Sequence, residues 1–163
     1  LLPERVQLDS SVSAVSLGTT RALALEGQRM QHCVGGYSIP CFLGESHIIS
    51  LRDSNDRSLS TLEITTDKYN ERHLKIVQHK SHGNRTPDLF LISLESNLLS
   101  IIQRNADFKA LAEWRKKAEK IYNILRPKDR LMVRKFGQSG VDRVSAAMGQ
   151  DRLMRLFQSD APH

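Results

Sequence analysis

The sequence predicts an α+β fold, with an N-terminal helix on a three-stranded antiparallel sheet followed by a helical C-terminal half. Three observations predict it. Residues 47–52, 59–64 and 73–78 form short runs separated by turn sequences, and the latter two alternate apolar and polar residues with the period of half-buried strands. Upstream, Leu23, Met30 and Val34 follow the capping residues Thr19 and Thr20 and stop at Gly35-Gly36. Downstream of Thr86, apolar residues recur at helical spacing as far as Arg126-Pro127.

Taken in order, residues 1–17 mix Ser, Val and Asp without a period and read as loop or a short edge strand. A helix over 19–34 contains the Glu26-Gly27 step. The connectors 53–56 and 67–70 are rich in Asp and Asn and of hairpin length, so the three strands form an antiparallel meander. Thr86-Pro87-Asp88 supplies a cap, a proline at the first helical position and an acid in the first turn. Leu89, Phe90, Ile92, Leu94, Leu98, Leu99, Ile101 and Ile102 are dense enough to bury most of the helix that follows. A second amphipathic helix runs over 107–125 on Phe108, Leu111, Ala118, Ile121 and Leu125, and two or three short helices occupy 128–159. At 163 residues and 18.5 kDa the chain has room for one compact domain, read as a motif-bearing module, 1–86, packed against a helical basic half, 87–163.

Hydrophobic residues at 39%, charged residues at 26%, 9 Gly and 5 Pro exclude collagenous, wholly disordered and disulfide-scaffold classes. No apolar run approaches the roughly 20 residues that span a bilayer. The opening residues lack the order of a secretory signal and an initiator Met, so the chain reads as a piece of a longer protein, and two cysteines, too few for a disulfide framework, suit a reduced, cytoplasmic compartment. Cys33 and Cys41 are expected to be free thiols. Residues 1–103 carry 10 Lys+Arg against 11 Asp+Glu, and residues 104–163 carry 14 against 7, so the whole net charge of +6 comes from the C-terminal part.

The densest chemistry lies in residues 26–37, EGQRMQHCVGGY, where reactive side chains abut a double glycine that lets backbone approach closely. The Glu26-Gly27 step, His32-Cys33-Val34 and Tyr37 resemble the hallmark of the PcfJ-like domain family, found in proteins of conjugative plasmids and other mobile elements. The resemblance continues through Gly44, Ser50-Leu51-Arg52, Thr61-Leu62-Glu63, Gln78, Asn84-Arg85 and Pro87, covering about residues 19–88. Ser81 stands where the family pattern has a glycine, with Gly83 displaced towards Asn84. The resemblance implies a mobile-element context and transfers no biochemical activity.

Three chemistries fit these residues. In the first, Cys33 is the nucleophile of a hydrolase or transferase acting on an amide or ester. On a helix His32 points roughly 100° away from it, so a base would come from the sheet, with His79 or His47 available and Gln78 or Asn84 to orient it. A buried structural thiol is the alternative reading of Cys33. In the second, Cys33, Cys41, His79 and His82 are zinc-type ligands, but without a Cys-x-x-Cys pair no metal and no cofactor is expected. In the third, His32, Tyr37, Arg52, Glu63, Gln78 and Asn84 converge on one polar pocket, with Arg52 as an anion anchor; the alternative is an internal network such as Arg52 with Glu63.

The basic half adds a nucleic-acid surface, with Trp114 beside Arg115, Lys116, Lys117 and Lys120, then Arg134 and Lys135, in the pattern of a phosphate-tracking face. Residues 144–149 look like the first helix of a helix-turn-helix in the wrong register for operator reading. The function expected is recognition of a phosphate-bearing or nucleic-acid partner through pocket and surface. A Cys33-dependent enzyme and a protein-protein adaptor are the competing classes.

Overall fold

The computed structural model describes residues 4–124. The short helices expected over 128–159, the segment 144–149, and Leu125, Arg134 and Lys135 lie outside the described residues. In chain order come β1 (Arg5–Gln7), β2 (Ser13–Ser16), α1 (Thr20–Met30), a 3-10 turn (Cys33–Tyr37), α2 (Ser38–Phe42), β3 (His47–Arg52), β4 (Ser58–Thr66), β5 (Leu74–Ser81), a second 3-10 turn (His82–Asn84), α3 (Leu89–Ser93), α4 (Glu95–Asn105) and α5 (Phe108–Ile124).

The strands form one antiparallel sheet of five in the order β1-β2-β3-β4-β5. This corrects the expected N-terminal helix on three strands. Two strands precede the helix, α1 is inserted between β2 and β3, and most helices follow the sheet. β1 and β2, of 3 and 4 residues, are too short to show a period. What holds β2 is its ladder to β3, where Ala14 pairs with Leu51 and is itself buried.

Both faces of the sheet carry core. On one, Leu51, Leu62, Ile64 and Leu74 pack with Leu91, Leu94, Leu98 and Ile102 of the α3–α4 segment. On the other, Ile48 packs with Leu17, Leu23 and Val34. Neighbouring Ile48 and Ile49 are therefore both buried, and β3 is buried without a break from Ile48 to Leu51, as strands covered on both sides are.

Helix ends also differ from expectation. Thr19 caps α1 by accepting from the Ala22 N–H. The helix ends at Met30, four residues early, because Gln31 turns left-handed (φ 50°) and its neighbours enter the 3-10 turn. Asp88, and not Thr86, caps α3, accepting from the Leu91 N–H at 2.9 Å. Leu89 and Phe90 then stand 85% and 50% exposed, so the start of this helix is not buried. Among the described residues no helix is long and apolar enough to cross a membrane.

Candidate functional site

α1 presents Leu23, Glu26 and Met30 to the sheet, a spacing of three and four residues that places a carboxylate on a buried stripe. Glu26 is 1% exposed, so it needs partners, and the sheet supplies them. Its Oε1 accepts from the Thr61 hydroxyl and its Oε2 from the Ser58 hydroxyl, both at 2.8 Å, while Arg52 Nη2 lies 3.7 Å from Oε2. Ser58 and Thr61 are an odd number of residues apart and would point to opposite faces of a regular strand. The register shift opposite Leu51/Arg52 pairs Arg52 with Ser58 and turns both hydroxyls towards α1.

The Thr61 hydroxyl also meets His32 Nε2 at 2.9 Å. Having given its one hydrogen to Glu26, it can only accept from the ring, which places a proton on Nε2. The Val34 N–H approaches Nδ1 from 3.5 Å and selects the same tautomer. The Glu26-Gly27 step brings this about through Gly27, where a Cβ would stand 3.2 Å from the His32 carbonyl oxygen and 3.3 Å from the Gly35 nitrogen. A side chain there would push the 3-10 turn away from α1.

Next to Thr61 on the same face of β4 is Glu63, and the ladder sets Lys80 opposite Thr61 and Gln78 opposite Glu63. A bulge makes this possible. Leu74 and Ile76 belong to the α4-facing side, and unbroken alternation would send Gln78 and Lys80 there too. The shift that pairs Glu63 with Gln78 but Ile64 with Ile76 leaves Val77 as an extra residue and reverses the faces beyond it. Gln78 and Lys80 thus join His32, Cys33, Tyr37, Glu63 and Asn84 around one cleft of about 30 Å³. Asn84 enters it from the second 3-10 turn with a left-handed backbone, φ 60°.

Glu63 is engaged from within, accepting from the Ser46 hydroxyl at 2.7 Å and from Tyr37. Burial, with the Glu63 charge beside it, raises the Tyr37 pKa above the ordinary phenol value, so the hydroxyl remains a donor. Burial followed by the same charge pushes the Cys41 thiol up to about 12. Cys33 is exposed at the cleft.

Of the residues singled out from the sequence, His32, Cys33, Tyr37, Glu63, Gln78 and Asn84 come together. Arg52, expected as an anion anchor, does not line the cleft; it stands behind it on Glu26, Ser50 and Asp56, in an internal network with Glu26 and not with Glu63. His79 faces the opposite side of the sheet, between Ser60 (2.8 Å) and Glu95 (2.6 Å), and His47 shares its strand face with the core residues Ile49 and Leu51, so neither stands beside Cys33. Arg115 is not on the solvent side of its helix, as the basic-surface expectation required. It donates to the Gly44 carbonyl at 2.8 Å and to Thr66 Oγ1 at 3.0 Å, next to Trp114, whose indole N–H donates to the Phe42 carbonyl. Lys116 and Lys120 are exposed and Lys117 is partly covered. Among the described residues no cluster of three His, Cys, Asp or Glu could hold a metal ion. The sequence reading passed over Glu26, Thr61 and Lys80 as site residues. A Glu on the stripe of Leu23 and Met30, and a Thr two residues before Glu63, were the available signals.

The fold and site define an α+β domain whose antiparallel sheet carries a cleft on one face and a helical cover on the other. A family model described as PcfJ-like protein matches residues 8–89, half of the chain. The chain belongs to the PcfJ-like protein family. No curated protein and no solved structure matches it.

Proposed function

We propose that the chain is an intracellular PcfJ-like domain of a mobile-element protein, recognising a phosphate-bearing partner, nucleic acid above all, through the cleft and the exposed cations of α5. The observation that carries this reading is the convergence of Lys80, Gln78, Asn84 and His32 on one cleft. An ammonium group and amide N–H groups suit phosphate oxygens, and the carboxylate among them, Glu63, already accepts from Ser46 and Tyr37. The excess of cations beyond residue 103 adds long-range attraction.

Fluorescence anisotropy with single- and double-stranded DNA and RNA oligonucleotides over a range of salt tests it. Binding is expected to weaken with salt, by about −0.9 in the log–log slope per phosphate neutralised on duplex DNA. Lys80→Gln and Asn84→Ala should weaken binding, and Lys116→Gln should flatten the slope without disturbing α5. No salt-sensitive binding to any of the four overturns the reading.

Two observations favour other classes. The exposed Cys33 thiol at the cleft fits a cysteine-dependent hydrolase or transferase, although no imidazole base stands beside it among the described hydrogen bonds. Iodoacetamide labelling of Cys33 at neutral pH faster than that of a free thiol, with loss of activity in Cys33→Ala, would favour that enzyme. The exposed pair Leu89 and Phe90 fits a protein-protein adaptor.

A further inference from the structure

We propose that the cleft cleaves RNA, with His32 as general base and with Thr61 and Glu26 as positioning residues behind it; the proposal rests on the phosphate-binding reading above and adds chemistry to it. The His32 ring is held from both sides. Thr61 requires hydrogen on Nε2, and the Val34 N–H requires a lone pair on Nδ1. At 3.5 Å the Val34 contact is at the weak limit, which leaves the Nδ1 lone pair available to a donor in the cleft. A proton taken there makes an imidazolium whose Nε2–H points through the Thr61 hydroxyl at the buried Glu26 carboxylate. This is the logic of an acid that orients and stabilises a catalytic imidazole, with a hydroxyl interposed.

The nucleophile has to arrive with the substrate. The Thr61 hydroxyl is engaged on both sides, Tyr37 is held by Glu63, and among the described residues no hydrogen bond joins the Cys33 thiol to an imidazole. RNA carries its own nucleophile, a 2′-hydroxyl beside each phosphodiester, and DNA does not. His32 Nδ1 takes the 2′-hydroxyl proton, the 2′-oxygen bonds to phosphorus, and the bond from phosphorus to the 5′-oxygen breaks. The departing oxygen takes a proton from the Lys80 ammonium. The products are a 2′,3′-cyclic phosphate and a 5′-hydroxyl. His32 then releases its proton to solvent and Lys80 regains one, so nothing is consumed. Amide N–H groups of Gln78 and Asn84 are placed to steady the phosphoryl oxygens.

The test uses the 163-residue chain with a labelled single-stranded RNA oligonucleotide, its 2′-O-methyl counterpart and the matching DNA, following cleavage and anisotropy in parallel. The expected result is cleavage of the unmodified RNA alone, with cyclic phosphate ends in the mass spectrum. His32→Ala should lower the rate at saturating RNA by about 10²- to 10⁴-fold. Thr61→Val should lower kcat by up to about 10²-fold with little change in KM, and Thr61→Ser should restore it, which a merely structural hydroxyl would not do. Lys80→Gln should slow cleavage at an unchanged melting temperature, and this variant tests the proposal even where Thr61→Val fails to fold. RNA that is bound but left intact overturns the catalytic proposal and spares the binding reading; RNA that is not bound overturns both. Cleavage that survives His32→Ala, or that consumes the 2′-O-methyl strand, overturns the assignment of base and nucleophile.

Discussion

His47 carries an imidazole whose Nε2 is buried and finds no hydrogen-bond partner among the described residues. Burial, with the Arg115 charge beside it, lowers its pKa from 6.5 to about 4. Between these values the unfolded chain binds a proton that the folded chain refuses. The stability contribution is therefore fully present above about pH 6.5 and is lost as the pH falls to about 4. The interval corresponds to about 3 kcal/mol. Urea midpoints measured from pH 7 down to pH 4 should fall accordingly, and His47→Leu should flatten the profile; an undiminished fall in that variant would assign the effect elsewhere. Asp9, Asp53 and Asp67, held below their ordinary value by backbone N–H groups, act at lower pH and do not confound the window. At the same scale, Cys41, with its thiol near 12, should resist alkylation at neutral pH while exposed Cys33 reacts, and mass spectrometry after iodoacetamide should find one modified cysteine. Much of the cleft was legible residue by residue, because His32, Cys33 and Tyr37 crowd a double glycine. That no sheet histidine joins them was not, since His79 is turned to the other face by a bulge that spacing alone does not reveal.

At the level of elements, β3, β4 and β5 were readable because turn-rich connectors bound them, and α5 because Leu111, Ala118 and Ile121 mark one face. β1 and β2 were not, being specified by the partner strand more than by their own pattern. Val77 is where local reading fails most instructively. Deleting it removes the extra residue, and unbroken alternation from Ile76 then keeps Gln78 and Lys80 on the cleft face. Amide exchange should still report a folded β4–β5 ladder, and binding at the cleft should persist; lost binding in a folded variant would contradict the role given to the bulge. α5 docks through another point of close approach. Gly44 has φ +71°, and a Cβ there would meet Arg115 Cγ at 3.1 Å and Trp114 Cδ1 at 3.2 Å. Gly44→Ala should lever the indole off Phe42, with which it now stacks edge-on at 5.7 Å. Trp114 is the one tryptophan of the chain, so a red shift in its emission would report the displacement directly.

For the whole molecule, the sheet is a partition between two cores, and the family match ends at residue 89, where the second core is only half supplied. Leu51, Leu62, Ile64 and Leu74 lie within the matched stretch; Leu91, Leu94, Leu98 and Ile102, which cover them, lie beyond it. The matched stretch and the stretch that closes both cores are therefore different lengths of chain. A fragment ending at residue 89 should bring every cleft residue with it and still fail to stay in solution, because one whole side of its sheet would be bare apolar surface. Extending the fragment to residue 106 should recover cooperative melting. In this chain the segment 91–102, beyond the matched stretch, supplies the apolar cover for the side of the sheet opposite the cleft. The cleft and the cover behind its sheet are thus written in different stretches of the chain.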